Sequence, residues 1–95
     1  MKSGKKTAKK IAVLVRDRKH EALRMAIGAT LSQDNVDVFV MDEKMEMDEE
    51  ISTNVEMLTD LKVKIYSNNP KNKFEQKSTG GIADILPEYD VVIPY

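Results

Sequence analysis

The chain has 95 residues, which is the size of one small domain. Charged residues make up 33% and hydrophobic residues 41% of the sequence, with three prolines and four glycines, a balance typical of a globular protein and not of a disordered or collagen-like chain. The chain contains no cysteine, which excludes disulfide bonds, thiolate zinc sites, iron–sulfur clusters and a thiol nucleophile.

Residues 1–10 form a basic segment with five lysines and no acidic residue, which leaves ten basic residues against 16 acidic ones in the rest of the chain. The segment has no arginine or aromatic residue to read or stack on bases, and the acidic body behind it would repel phosphate. We therefore expect a disordered tail and no nucleic-acid binding. The apolar run at residues 11–15 is too short for a secretory signal, and no run approaches the roughly 20 residues of a membrane helix. We expect a cytoplasmic protein without membrane contact.

The first half of the chain predicts a strand, a helix and a second strand. Residues 11–15 are a continuous apolar run, typical of a strand covered on both faces. Over residues 20–33 apolar side chains recur every three or four positions, which predicts a helix packed on a sheet, with Asp17 as its N-cap. Residues 36–41 predict the second strand.

The second half continues the alternation. Residues 41–50 hold six acidic residues and three methionines, which predicts a mobile, solvated loop, or a partner contact if the methionines are exposed. Asp48 is the expected cap of a second helix, whose apolar face is formed by Ile51, Val55, Leu58 and Leu61. The expected elements after it are a third strand at 63–66, at an edge or half-covered, a loop at 71–81, a short helix at 82–86 and a strand at 91–93.

This order predicts an α/β fold: one domain over residues 11–95, with three layers and a mostly parallel sheet of four strands, or five if residues 71–79 hold one. Parallel sheets are rarely left bare. Because three helices, one of them short, barely cover both faces of such a sheet, we expect self-association through an uncovered face or edge.

Ligands of open α/β sheets bind outside the carboxyl ends of the strands. Six polar residues of this chain are expected there and form the candidate pocket: Asp17, His20, Asp42, Ser67, Asn68 and Asn69. His20 with Asp17 and Ser67 contains the residue types of a catalytic triad, but the chain has no nucleophile-elbow glycines. Solvent exposure, helix capping and an Asx-type turn explain these residues without a ligand. We predict no catalytic residue, no metal site and no cofactor.

Three stretches resemble the DsrE/DsrF-like family of small sulfur-relay proteins. They are His-Glu-Ala-Leu-Arg-Met-Ala-Ile-Gly at 20–28, Val-Asp-Val-Phe-Val-Met-Asp at 36–42, and Met-Leu-Thr-Asp-Leu-Lys-Val-Lys-Ile-Tyr-Ser-Asn at 57–68. The resemblance covers residues 11–70 and implies a parallel α/β/α domain that assembles into homo-oligomers or mixed complexes. Several members hold sulfur as a persulfide on a cysteine just beyond the third strand. Here Ser67 occupies that position, and a serine hydroxyl cannot form a persulfide, so the relay activity is not expected.

Two functions follow as leading hypotheses, and an enzyme with two carboxylates brought together by the fold is a third and less favoured one. The first is a non-catalytic DsrE-like protein that acts by oligomerisation or by docking on a protein partner. The second is a flavodoxin- or receiver-like domain that binds a small molecule or ion at the strand ends. Asp17 and Asp42 follow strand ends as receiver carboxylates do, but no carboxylate follows the third strand, where receivers place the phosphate acceptor.

Overall fold

Five parallel strands form one sheet in the computed structural model, which describes residues 9–95. The strands are β1 (Lys10–Val15), β2 (Asn35–Val40), β3 (Lys64–Ser67), β4 (Glu75–Gln76) and β5 (Val91–Pro94), in the spatial order β4-β3-β2-β1-β5. The helices are α1 (Lys19–Leu31), α2 (Glu49–Asp60) and α3 (Thr79–Ile85), and a 3₁₀ turn follows at Leu86–Glu88. The predicted α/β class is confirmed, and the sheet has the fifth strand that the sequence left open.

Over residues 9–95, helices cover most of both faces of the sheet. On one face, side chains of α1 and α2, among them Leu23 and Leu58, pack on alternate residues of β1 and β2. On the other face, Ile82 of α3 packs with Phe39 and Tyr66. These five residues are buried.

At β5 the α3 face stays partly open, because Val92, which pairs with Ala12 of that face, is 39% exposed and belongs to neither cluster. The open part of the sheet over residues 9–95 is therefore this strip of the α3 face at β5, together with the sheet edges.

An aromatic cluster fills the α3 face. The rings of Phe39 and Tyr66 stack at 5.2 Å, and Tyr89 meets Phe39 edge-on at 5.8 Å. The Tyr89 hydroxyl donates to Asp37 Oδ2 at 2.5 Å. Burial, and then the hydrogen bond to Asp37, raise the pKa of Tyr89 above its usual value. The short helix α3 thus packs on an aromatic surface that the strands themselves and Tyr89 provide.

Both long helices end in a Schellman motif with a non-glycine residue in the left-handed conformation. After α1, Gln33 has φ 70°, its N–H donates to the Thr30 carbonyl, and the Asp34 N–H donates to Ala29. After α2, Lys62 has φ 68° and takes the equivalent place. These hydrogen bonds satisfy carbonyl groups that a helix end leaves without partners.

Two local predictions need correction. The predicted N-cap of α1, Asp17, is not the cap, because Arg18 occupies that position and makes no side-chain cap. The predicted loop at 71–81 contains β4 and the start of α3, whose cap Ser78 accepts from the Gly81 N–H at 3.0 Å.

The third strand lies at the edge only over Lys64 and Ile65, because β4 pairs with its last two residues, Tyr66 and Ser67. Of the two expected positions, an edge or a half-covered strand, the half-covered one is observed.

The predicted tail at residues 1–10 lies outside the described residues, except for Lys9 and Lys10. Lys10 is the first residue of β1. Over residues 9–95, no helix combines the length and the apolar character that are needed to cross a membrane.

We expect Phe39→Ala to lower the free energy of unfolding by about 3–5 kcal/mol, because it removes a fully buried ring between two aromatic neighbours. The matched control is Leu31→Ala, at a side chain that is 66% exposed, where we expect a change of about 0.5 kcal/mol or less. Urea unfolding followed by circular dichroism measures both. Equal losses in the two variants would contradict the assignment of the core to this cluster.

Candidate functional site

The carboxyl ends of β1, β2 and β3 meet at one end of the sheet, as a parallel arrangement requires. Asp42, Ser67, Asn68 and Asn69 of the candidate pocket lie together there and are joined by hydrogen bonds. Asp17 lies beside them, and a hollow of about 110 Å³ has both Asp17 and Asp42 in its lining. His20 does not line this hollow and belongs to a different set of contacts.

Ser67 is fully buried, and its side-chain oxygen is committed to neighbouring groups. The oxygen accepts hydrogen bonds from the Asn69 N–H at 3.1 Å and from Asn72 Nδ2 at 2.9 Å. Asn72 is itself only 4% exposed, and its Oδ1 accepts from the Met45 N–H at 2.8 Å while its Nδ2 also donates to the Glu43 carbonyl at 3.1 Å. Asn72 therefore clamps the loop after β2 to the segment after β3.

Asn68 and Asn69 hold the turn at Asp42. The Asn68 side chain accepts from the Asp42 N–H at 2.6 Å and donates to the Asp42 carboxylate at 3.1 Å and to Thr79 Oγ1 at 2.8 Å. Asn69 Nδ2 donates to the Asp42 carbonyl at 2.9 Å. Asp42 has φ 68°, a conformation that aspartate tolerates better than most residues, and its carboxylate also lies 3.7 Å from Arg16 Nε. The polar groups of these three residues are thus used to hold the loops.

The backbone N–H groups at Asp17 are hydrogen-bonded to the residue that follows β5. The order of the sheet reverses direction at β1, where a crevice for anionic ligands is expected in doubly wound folds. In this chain the N–H groups of Asp17 and Arg18 both donate to the Tyr95 carbonyl, at 3.0 and 3.2 Å. Two N–H groups that would face a ligand at the crevice are therefore already satisfied.

His20 is paired with the N-cap of α2. Its Nε2 lies 2.7 Å from Asp48 Oδ2, and the other carboxylate oxygen accepts from the Ile51 N–H at 2.8 Å. The predicted cap at Asp48 is confirmed. The Ile51 N–H and then the His20 hydrogen bond hold the pKa of Asp48 below its usual value. His20 also lines an open hollow of about 480 Å³ together with Asp17 and charged residues of both signs.

The acidic loop after β2 is solvent-exposed, as expected, at eight of its ten residues, and only two of its methionines are buried. Met41 is 6% and Met45 1% exposed, while Met47 is 49% exposed. The Asn72 clamp buries Met45 because it fixes the Met45 backbone against the segment after β3. Over residues 9–95, no group of three or more histidine, aspartate or glutamate side chains is placed to hold a metal ion.

A groove of about 450 Å³ lies between the loop after β2, helix α2 and the segment after β3, and we call it the lysine groove. Its apolar lining comes from two methionines, a valine and a phenylalanine, and its basic lining from three lysines; with Asn72 the residues are Lys44, Met45, Met47, Val55, Lys71, Asn72, Lys73 and Phe74. The sequence reasoning missed this groove. The available signal was a single phenylalanine between lysines in a stretch otherwise without apolar periodicity.

We expect Ser67→Ala to lower the free energy of unfolding by about 1–3 kcal/mol, because it leaves two buried donors without their acceptor. The control is Ser52→Ala, at an exposed position of α2, with an expected change of about 0.5 kcal/mol or less. Urea unfolding measures both variants. A loss no larger for Ser67→Ala than for the control would contradict the role of this hydroxyl.

We expect part of the stability to be lost in acid through Asp48. Its pKa is lower in the folded than in the unfolded chain, so its contribution is present above the ordinary value of 3.8 and disappears as the pH falls through the lowered folded pKa. Asp48→Asn keeps a capping oxygen but removes this titration. The difference between the urea midpoints of the parent and the variant is therefore expected to shrink in acid.

The control for this titration is Asp84→Asn, which removes one exposed carboxylate of α3 and corrects for net charge. A difference between parent and Asp48→Asn that stays constant from neutral pH into acid would contradict the assignment.

Comparison of the chain with protein-family models, with curated proteins and with solved structures gave no match. The inference of function therefore rests on the contacts, burial and charges of the chain's own residues.

Proposed function

We propose that this chain is a non-catalytic DsrE-like protein that acts by associating with other protein chains, and first with a second copy of itself. The observation that carries the proposal is the state of Ser67, the last residue of β3, which the resemblance matches to the family's sulfur-carrying cysteine. It is fully buried and accepts two hydrogen bonds from neighbouring residues. A hydroxyl held in this way supports a structural role and not a reactive one.

The sheet edge at β5 supports association between copies. Within the described part of the chain, no strand pairs with the outer side of β5, and its four residues carry no charge. Val92 is 39% exposed. Exposed, uncharged edge strands are templates for pairing with another chain, and two copies related by a two-fold axis would use the same patch on each side. The opposite edge, β4, has only two residues and offers a much shorter template.

The architecture supports the family assignment as part of the same proposal. A single parallel α/β domain with helices on both faces of the sheet is the fold that the resemblance implies. We also propose a cytoplasmic location, as expected from the sequence, and no nucleic-acid partner, because residues 9–95 carry 12 basic against 16 acidic side chains.

The competing function, binding of a small molecule or ion at the strand ends, has less support. The donors and acceptors of Asp42, Asn68 and Asn69 are engaged with one another. The N–H groups of Asp17 and Arg18 are engaged with Tyr95. The open hollow beside His20 has charges of both signs in its lining and so favours neither anions nor cations.

Native mass spectrometry of the full chain tests the proposal. We expect a homo-oligomer whose mass is unchanged in Ser67→Ala and reduced to that of the monomer in Val92→Lys, because a lysine on an edge strand opposes edge pairing. The matched control is Met57→Lys, at a side chain of similar exposure, 44%, on α2, which should keep the assembly.

A parent chain that stays monomeric at all concentrations would overturn the proposal. A monomer that retains a small molecule would instead favour the competing function at the strand ends. An assembly that survives Val92→Lys would move the interface away from β5.

A further inference from the structure

We propose that the lysine groove is a binding site for a small apolar carboxylate, a molecule with an aliphatic or aryl body and one carboxylate group. The inference goes beyond the proposed function, because neither β5 nor Ser67 lines the groove. It rests on the volume of the groove, its apolar lining, the charge at its rim and the clamp that fixes its walls.

The groove has the size and lining of a small-molecule site. Its volume of about 450 Å³ falls within the roughly 300–1,000 Å³ of ligand pockets, which are lined mainly by apolar side chains and a few polar groups. Met45, Val55 and Phe74 pack on the core shared by α1 and α2, so the floor of the groove is the outer surface of that core. Met47 is half exposed beside them, and methionine side chains adapt to the shape of an apolar ligand.

The rim selects the charge of the ligand. Three lysines line the groove and no acidic residue does, although acidic side chains outnumber basic ones in residues 9–95. Within that part of the chain, none of Lys44, Lys71 and Lys73 forms an ion pair with a carboxylate. The acidic residues of the loop after β2 do not line the groove, so an apolar floor with three lysines at its rim favours a ligand that is apolar at one end and anionic at the other.

The walls of the groove are fixed before any ligand binds. The Met45 N–H donates to Asn72 Oδ1 at 2.8 Å, and the Asn72 side chain is almost completely buried. Lys44 precedes Met45, while Lys71 and Lys73 flank Asn72 in the sequence. One buried hydrogen bond therefore fixes the two backbone segments that carry the three exposed lysine side chains, and a preorganised backbone lowers the free-energy cost of binding.

The experiment is a titration of the full chain, labelled with ¹³C at the methionine methyl groups, with sodium decanoate. We expect saturable chemical-shift changes at Met45 and Met47. The internal control is Met57, which is 44% exposed against 49% for Met47 but lies outside the groove, and which should not respond. Decylammonium, which has the same chain length and the opposite charge, should not produce the same shifts.

The variant Lys71→Glu with Lys73→Glu should weaken decanoate binding by about tenfold or more, because each change replaces an attraction by a repulsion. The matched control is Lys62→Glu with Lys64→Glu, which makes the same change with the same spacing beside the amino end of β3 and should leave the affinity within about twofold. Urea unfolding verifies that both variants fold, because a folded small domain unfolds in one cooperative transition.

Three results would overturn the proposal. They are an absence of saturable shifts at Met47, equal shifts at Met57 and Met47, and equal weakening by the two lysine variants. If dilution of the chain alone moves the Met47 signal, the groove is a contact between copies and not a ligand site. A failure here leaves the assembly test at β5 unaffected, since that test measures mass and not ligand binding.

Discussion

The fold depends on the need to cover β1 and β2 on both faces. Residues 11–15 are at most 9% exposed, and Val38, Phe39 and Val40 are at most 1% exposed. Parallel strands require a crossover between each pair, and the crossovers are what supply the covering layers. In this chain α1 and α2 cover one face. On the other face the short α3 packs with three aromatic side chains, Phe39 of β2, Tyr66 of β3 and Tyr89.

The same constraint determines the chemistry of the strand ends. The connections that leave β1, β2 and β3 begin at one end of the sheet, so these loops crowd together and their backbone groups need partners. Asparagine side chains supply both donors and acceptors, and Asn68, Asn69 and Asn72 satisfy the backbone of the loop after β2. The region where α/β proteins usually bind ligands is therefore stabilised internally, and the groove lies to one side of it, against α2.

The parts of the fold that sequence predicted correctly are those determined by local pattern. The apolar runs of β1 and β2 and the cap at Asp48 need no information beyond neighbouring residues. By contrast, β4 has the sequence Glu-Gln, which has no apolar residue, and it exists because it pairs with Tyr66 and Ser67 of β3. The N–H groups of Asp17 and Arg18 donate to the Tyr95 carbonyl, a contact that only the assembled sheet creates.

The candidate site shows the same difference between what local sequence pattern predicts and what tertiary contacts determine. The rule for strand ends predicted that Asp42, Ser67, Asn68 and Asn69 would lie together, because it depends only on strand direction. The hydrogen bonds that these residues form with one another depend on the path of each loop. The pairing of His20 with Asp48 depends on how α1 and α2 pack. Lysines dispersed over two loops have no shared sequence pattern, which is why the groove became visible only with the fold.

The left-handed residues after α1 and α2 are positions at which a substitution can increase the stability of the fold. Gln33 and Lys62 carry side chains at positions where glycine adopts the same conformation without the steric cost, and that cost is roughly 1 kcal/mol per residue. Each residue lies two positions before a strand, at the end of the sheet opposite the polar loops. Glycine at these two helix ends is therefore expected to compensate for destabilising changes made at the polar loops or at the groove.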